Sequence, residues 1–201
     1  KSFSEIDITV KRAIRAAGFP WGVAEEVGKN IRLLEMLGLP GVKNINAYLK
    51  IYKKNFFEEI VRFEKSNKTK KYFCPIISGL NFMDQSKSIA ELTEIEIKNM
   101  SFPLLLLPFL SRSSEVIGKR IFLKLDNKEF LLNYNQSIYS NYLSGEILEK
   151  TEHLDIKFIE NKDTFTEQEW ENLYKMSENT FVEETEELKQ TAAGAGLTDN
   201  D

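Results

Sequence analysis

A β-hairpin is encoded by residues 121–134, which read Ile121-Phe122-Leu123-Lys124-Leu125, then Asp126-Asn127-Lys128, then Phe130-Leu131-Leu132-Asn133-Tyr134. Two apolar-rich runs on either side of a short polar turn are typical of paired antiparallel strands. Residues 154–159 alternate apolar and polar side chains and predict a further strand. The middle of the chain is therefore expected to hold a small, mainly antiparallel sheet.

Three neighbouring segments are also apolar. Residues 72–77 predict a short strand closed by Pro75 or Gly79, and residues 89–97 fit either a strand or a helix. The run from Phe102 to Leu110 has about half the length that a membrane helix needs. It contains two prolines, so we expect it to be a buried core segment.

The first 64 residues favour helices. Ser2 and Glu5 fit a capping box, and Gly18 with Pro20 separates a first helix from a second. The later helices are predicted over residues 21–37, 42–52 and 56–63. Near the other end, Thr164 or Thr166 would cap a helix running to about Met176, with an apolar side formed by Trp170, Leu173 and Tyr174.

Together these patterns predict an α+β fold, in which a helical N-terminal lobe packs on the small antiparallel sheet and a C-terminal helix and tail follow. We expect a single domain over residues 1–201, with a helical lobe (1–64), a mixed part (72–180) and an acidic, glycine-rich tail (181–201). Its 201 residues suffice for a substantial core, and 42% hydrophobic with 29% charged residues is the composition of a globular protein.

Composition also excludes some classes of function. The net charge of −4 argues against nucleic acid, and the sequence has no phosphate loop, no dinucleotide fingerprint and no zinc-protease or C-x-x-C motif. A single cysteine, Cys74, and the lack of a long apolar run favour a cytoplasmic protein that does not bind membranes. Cys74 and the single histidine, His153, are expected to be structural. The sequence does not identify a cofactor, and no residue is assigned as a metal ligand.

Residues 17–26 form the first of two candidate patches, Ala17-Gly18-Phe19-Pro20-Trp21-Gly22-Val23-Ala24-Glu25-Glu26. Glycines at a corner between helices permit close backbone approach, and Trp21 offers a flat apolar surface. We expect Arg15, Trp21 and Glu25 to bind a ligand there. The alternative is a purely structural corner, with its carboxylates placed favourably at the start of a helix.

The second patch is Gly194-Ala195-Gly196-Leu197-Thr198-Asp199-Asn200-Asp201. Backbone N–H groups beside glycines can bind an anion, whereas clustered carboxylates can bind a hard cation or an amine. A structural tail is the remaining alternative. The ligand-binding residues predicted in this patch are Gly194, Gly196, Asp199, Asn200 and Asp201.

The two patches together resemble a bacterial family of uncharacterised proteins, the domain of unknown function 3726. The resemblance rests on residues 2–6 and 16–28 and on the Gly-Ala-Gly…Asp-Asn-Asp ending. Members of this family have about this length and often carry a Ser-Arg pair where this chain has Leu188-Lys189. The resemblance implies no reaction.

Two functions remain open from the sequence. One is the binding or conversion of a small molecule, in a pocket formed by the corner at residues 15–26 and the C-terminal tail. The other is a non-catalytic subunit of a heteromeric complex that docks through the tail. A self-associating oligomer is compatible with either function.

Overall fold

The computed structural model describes residues 1–52, 56–133 and 137–180. The chain divides into two compact units, residues 1–161 and residues 162–201, which are taken separately below. The first unit combines helices with an antiparallel sheet, so the predicted α+β class is confirmed. The domain boundaries predicted from the sequence stay a prediction.

Three helices open the first unit: α1 (Phe3–Ala16), α2 (Trp21–Met36) and α3 (Gly41–Ile51). The predicted capping box is present, because the Ser2 hydroxyl accepts a hydrogen bond from the Glu5 N–H and the Glu5 carboxylate accepts one from the Ser2 N–H. The fourth predicted helix, residues 56–63, is wrong. That segment is irregular, and Glu58 in it forms an isolated bridge to Phe73.

The described strands build a six-stranded sheet in the order β1-β2-β6-β3-β4-β5. Their bounds are β1 (Ser66–Asn67), β2 (Glu94–Ser101), β3 (Arg120–Leu125), β4 (Lys128–Leu132), β5 (Ile138–Ser140) and β6 (Lys150–Ile159). Only β1 runs parallel to its neighbour. The hairpin predicted from the sequence is β3–β4, and Asp126 at its turn has a positive φ of 51°.

Between β1 and β3 the chain forms α4 (Pro75–Asp84), α5 (Ser86–Ile89), a 3₁₀ turn (Pro103–Leu105) and α6 (Leu107–Ile117). The strand predicted over residues 72–77 is therefore wrong. Pro75 begins a helix instead of closing a strand, since a proline at the first helical position gives up no hydrogen bond. The ambiguous segment at residues 89–97 contributes its second half to β2.

Every residue from 101 to 110 is buried, as the sequence predicted for this run. Within the described ranges, no helix combines the length and the apolar composition that crossing a membrane requires. The core side of the sheet is equally apolar, with Ile97, Leu123 and Phe130 at most 1% exposed. These two layers bury the main hydrophobic core of the first unit.

In the second unit, residues 162–180 contain α7 (Glu167–Ser177) and a 3₁₀ turn (Glu178–Thr180). Thr166 caps α7, as predicted, and exchanges hydrogen bonds with Glu169 in a second capping box. Phe165, just before the cap, lies 5.7 Å from Trp170 between ring centroids. That pair has the position of a hydrophobic staple, which fixes how the chain enters the helix.

We predict that Gly79→Ala lowers the free energy of unfolding by about 1–3 kcal/mol. A Cβ at Gly79 would stand 2.3 Å from the ring of Phe109, a residue that is 1% exposed and has no room to move. Gly22→Ala is the matched control, because a Cβ there meets nothing within 4 Å. That control should stabilise the protein by about 0.5–1 kcal/mol, as alanine does within helices. Urea unfolding of both variants measures the difference, and equal stabilities would contradict the packing described here.

Candidate functional site

The corner between α1 and α2 is a tight helix stop. Gly18 takes a positive φ of 102°, and the Phe19 N–H bonds back to the Ile14 carbonyl at 3.3 Å. The Phe19 side chain turns into the core, where it is 4% exposed and stacks on Tyr52 at 4.6 Å between centroids. The corner's shape is thus explained by chain reversal and core packing.

Arg15 and Trp21, both predicted to bind a ligand, contact each other on the surface. The Arg15 guanidinium carbon lies 5.5 Å from the centroid of the Trp21 ring, a cation–π distance. Arg15 Nη1 also donates to the Phe19 carbonyl at 3.0 Å. The tryptophan remains 56% exposed. Arg15 therefore stabilises the corner through these two contacts.

Glu25, the third predicted residue in this patch, pairs with α1. Its carboxylate accepts a hydrogen bond of 2.6 Å from Lys11 Nζ. That hydrogen bond and the charge of Lys11 lower the pKa of Glu25. The structure therefore brings Arg15 and Trp21 together but directs Glu25 to a different partner.

Sequence reasoning missed a polar cluster one residue further on. Glu26 binds both Lys29, at 2.8 Å, and Arg112 of α6, at 2.5 Å. Arg112 also donates to Oδ1 of Asn30, which is 2% exposed. Because 86 residues separate Glu26 from Arg112, no local pattern in the sequence could show this contact.

Cys74 is buried, at 3% exposure, and forms the N-cap of α4. Its sulfur lies 3.1 Å from the Tyr48 hydroxyl. Burial raises the pKa of the Cys74 thiol, although hydrogen bonds from Ile77 and Tyr48 act in the opposite direction. A buried thiol held in the neutral form is a poor nucleophile. His153 is exposed on β6, opposite Lys98 of β2.

The remaining predicted site residues, Gly194, Gly196, Asp199, Asn200 and Asp201, lie outside the described residues. Among the residues that are described, no three His, Cys, Asp or Glu side chains gather closely enough to hold a metal ion. The described part of the chain instead offers a different kind of recess.

A groove of about 690 Å³ opens on the N-terminal helices, away from the predicted patch. Its apolar lining continues the apolar side of α1, and the exposed fraction of these side chains increases toward the start of the helix. Ile14 is 0% exposed, Val10 is 7% exposed, and Phe3 at the mouth is 47% exposed. The full lining consists of Lys1, Phe3, Glu5, Ile6, Thr9, Val10, Glu35 and Val42. Its volume falls in the range of ligand sites, which are concave and mostly apolar.

The charged groups of the groove have unequal roles. Glu5 is engaged in the capping box and lies 3.3 Å from Lys1. Glu35 extends from the end of α2, and its Oε1 accepts a hydrogen bond of 2.7 Å from the Val42 N–H in the first turn of α3. Its second oxygen, Oε2, has no hydrogen-bond partner in the ranges the structure describes. One carboxylate oxygen in the groove is thus available to a ligand.

Comparison with protein families bears on the same helices. Residues 1–74 match the model of a family described as a protein of unknown function, DUF3726. The match covers 74 of the 201 residues and shows that this N-terminal part of the chain is similar to DUF3726. The resemblance predicted from the sequence is confirmed over that range, which contains α1, α2, α3 and every residue that lines the groove. No curated protein and no solved structure matches the chain.

The Glu26 cluster yields a prediction about pH. Burial by itself would raise the pKa of Glu26, but hydrogen bonds from Lys29 and Arg112 outweigh it and leave the pKa below its usual 4.5. The ionised form therefore stabilises the fold above pH 4.5, and this contribution disappears as the pH falls through the lowered pKa.

We expect Glu26→Gln to be less stable than the native chain at pH 7, and the gap to close as the pH falls below 4.5. Urea unfolding of the two proteins between pH 7 and pH 3 measures this gap. A gap that keeps its size across the whole range would show that the ion pair with Arg112 contributes nothing.

Proposed function

We propose that this protein binds a small apolar molecule, and that the ligand lies in the groove formed by α1, α2 and α3. The observation that carries this proposal is the groove itself, since its apolar floor is an exposed continuation of the α1 core stripe. Leaving large apolar side chains such as Phe3 and Val42 in water forgoes the stabilisation that burial provides. A bound apolar molecule would recover it.

The proposed site differs from the one predicted on the corner at residues 15–26. Arg15 and Glu25 already bond to groups of the first unit, so a ligand would have to displace contacts that hold α1 to α2. The groove requires no such displacement. All of its lining residues lie in the range that matches the DUF3726 model.

Filling the groove tests this proposal. Thr9→Trp places a large ring into the groove from an exposed position of α1 and should weaken the binding of Nile red, a neutral apolar dye, by about tenfold or more. Ile8→Trp is the matched control, because Ile8 is adjacent in α1, is 51% exposed and does not line the groove. Fluorescence titration gives both affinities. Equal affinities in the two variants, or no binding to the native chain, would overturn the proposal.

A second candidate function is that of a subunit in a heteromeric complex, and a specific feature of α7 favours it. The 11 residues of this helix include no buried side chain, although Trp170, Leu173 and Tyr174 form an apolar stripe at helical spacing. Isolated helices of this length are marginal in water, but the capping box and the staple both favour its formation. A helix formed in advance binds a partner groove at a lower entropic cost.

Adding one charge to α7 tests this second function. Leu173→Glu should remove any second polypeptide that accompanies the protein purified from its own cells, as seen by native mass spectrometry. Gln168→Glu adds the same charge on the opposite side of the helix, where Gln168 bonds to Asn172, and should retain that partner. Loss of the partner in both variants, or in neither, would contradict docking through the apolar stripe.

A further inference from the structure

We propose that the ligand of the α1–α2–α3 groove is a cationic amphiphile, with a hydrocarbon or aryl body and a primary ammonium group at one end. This inference rests on the proposed function and specifies the chemical class of its ligand. It follows from which polar groups of the groove are already bonded and which are not.

The charge balance of the groove favours a cation. The side chains of the lining include two carboxylates and one ammonium group, and the side chains of Lys1 and Glu5 neutralise each other at 3.3 Å. Glu35 is left without a positively charged partner among the described residues. The groove therefore has a net negative charge at the junction of α2 with α3.

Glu35 is also held in place. Its Oε1 is fixed by the Val42 N–H at 2.7 Å, so the carboxylate does not have to be ordered when a ligand arrives. Oε2 remains as the acceptor for a donor from the ligand. A hydrogen bond between a carboxylate and an ammonium group is about twice as strong as one between neutral groups. A cationic head should consequently bind better than a hydroxyl of the same size.

The apolar walls define the rest of the ligand. Ile6 and Val10 line the groove along α1, and Val42 lies on α3 only one residue from the Gly41 that begins that helix. A ligand whose ammonium group binds Glu35 can lay its apolar body against these side chains. An anionic head would meet an unpaired carboxylate and should be excluded.

The test compares three ligands with the same chain: nonylammonium, nonan-1-ol and nonanoate. Isothermal titration at low salt should rank the ammonium compound first, about tenfold tighter than the alcohol, with the carboxylate weakest. Glu35→Gln keeps an acceptor for the Val42 N–H but removes the charge. It should reduce the affinity for nonylammonium to that of nonan-1-ol and leave the alcohol unchanged.

Two controls separate the ligand class from the site. Thr9→Trp should weaken all three ligands, since it obstructs the groove and not the carboxylate. Glu25→Gln removes a carboxylate of α2 that bonds to Lys11, outside the groove, and should change none of the affinities.

The outcomes are distinguishable. If Nile red binds in the groove but the three ligands bind equally, or nonanoate binds best, the inference about the class is wrong and the proposed function stands. A preference for nonylammonium that survives Glu35→Gln would also overturn the assigned anchor. If Nile red does not bind to the native chain, the proposed function itself fails, and the inference that rests on it fails with it.

Discussion

The burial of residues 101–110 is the constraint on which the rest of the first unit depends. Ten consecutive buried residues need apolar neighbours on every side, and three layers of the structure provide them. Helix α6, whose first turn belongs to this segment, packs on α4, β3 and β4, and the ring of Tyr48 in α3 meets Phe102 edge-on at 5.8 Å between centroids. The helices and strands of the first unit therefore pack around residues 101–110.

The same constraint explains why a groove remains on α1. The C-terminal half of that helix, with Val10 and Ile14, lies over the core, whereas its first turn extends past it. A stripe of apolar side chains at helical spacing runs the whole length of α1, but the hydrophobic core lies under only its C-terminal half. Phe3 and Ile6 thus line a recess whose other lining residues include Glu35 at the end of α2 and Val42 at the start of α3. The recess exists because α1 is longer than the core that it covers. The carboxylate of Glu35 places a negative charge at one side of it.

Local signals in the sequence were sufficient for much of the fold. The β3–β4 hairpin, the capping box at Ser2, the cap at Thr166 and the corner at Gly18 each depend on residues close together in the chain, so the sequence predicts them. The strand predicted over residues 72–77, with its end at Pro75 or Gly79, is wrong because Pro75 begins α4. A proline has opposite meanings at the end of a strand and at the start of a helix, and only tertiary packing decides between them.

The candidate site was less accessible to such reasoning. Residues of the corner such as Arg15 and Trp21 stand out in the sequence by their composition, and the structure places them in contact at the turn. The apolar residues that line the groove come from α1 and α3, and Glu35 of α2 becomes distinctive only because α3 begins beside it. Apolar residues at helical spacing show which side of a helix faces inward, but they do not show where the core that the helix packs on ends.

The thiol of Cys74 can report how often the first unit opens. This thiol joins α3 to α4 through Tyr48 and is shielded from water, so a thiol reagent can reach it only when those helices separate. The rate at which a reagent labels the sulfur then measures how often the first unit opens under native conditions. A molecule bound near the start of α3 would lower the rate of Cys74 labelling, because it stabilises the position of that helix. It would do so without contacting the cysteine.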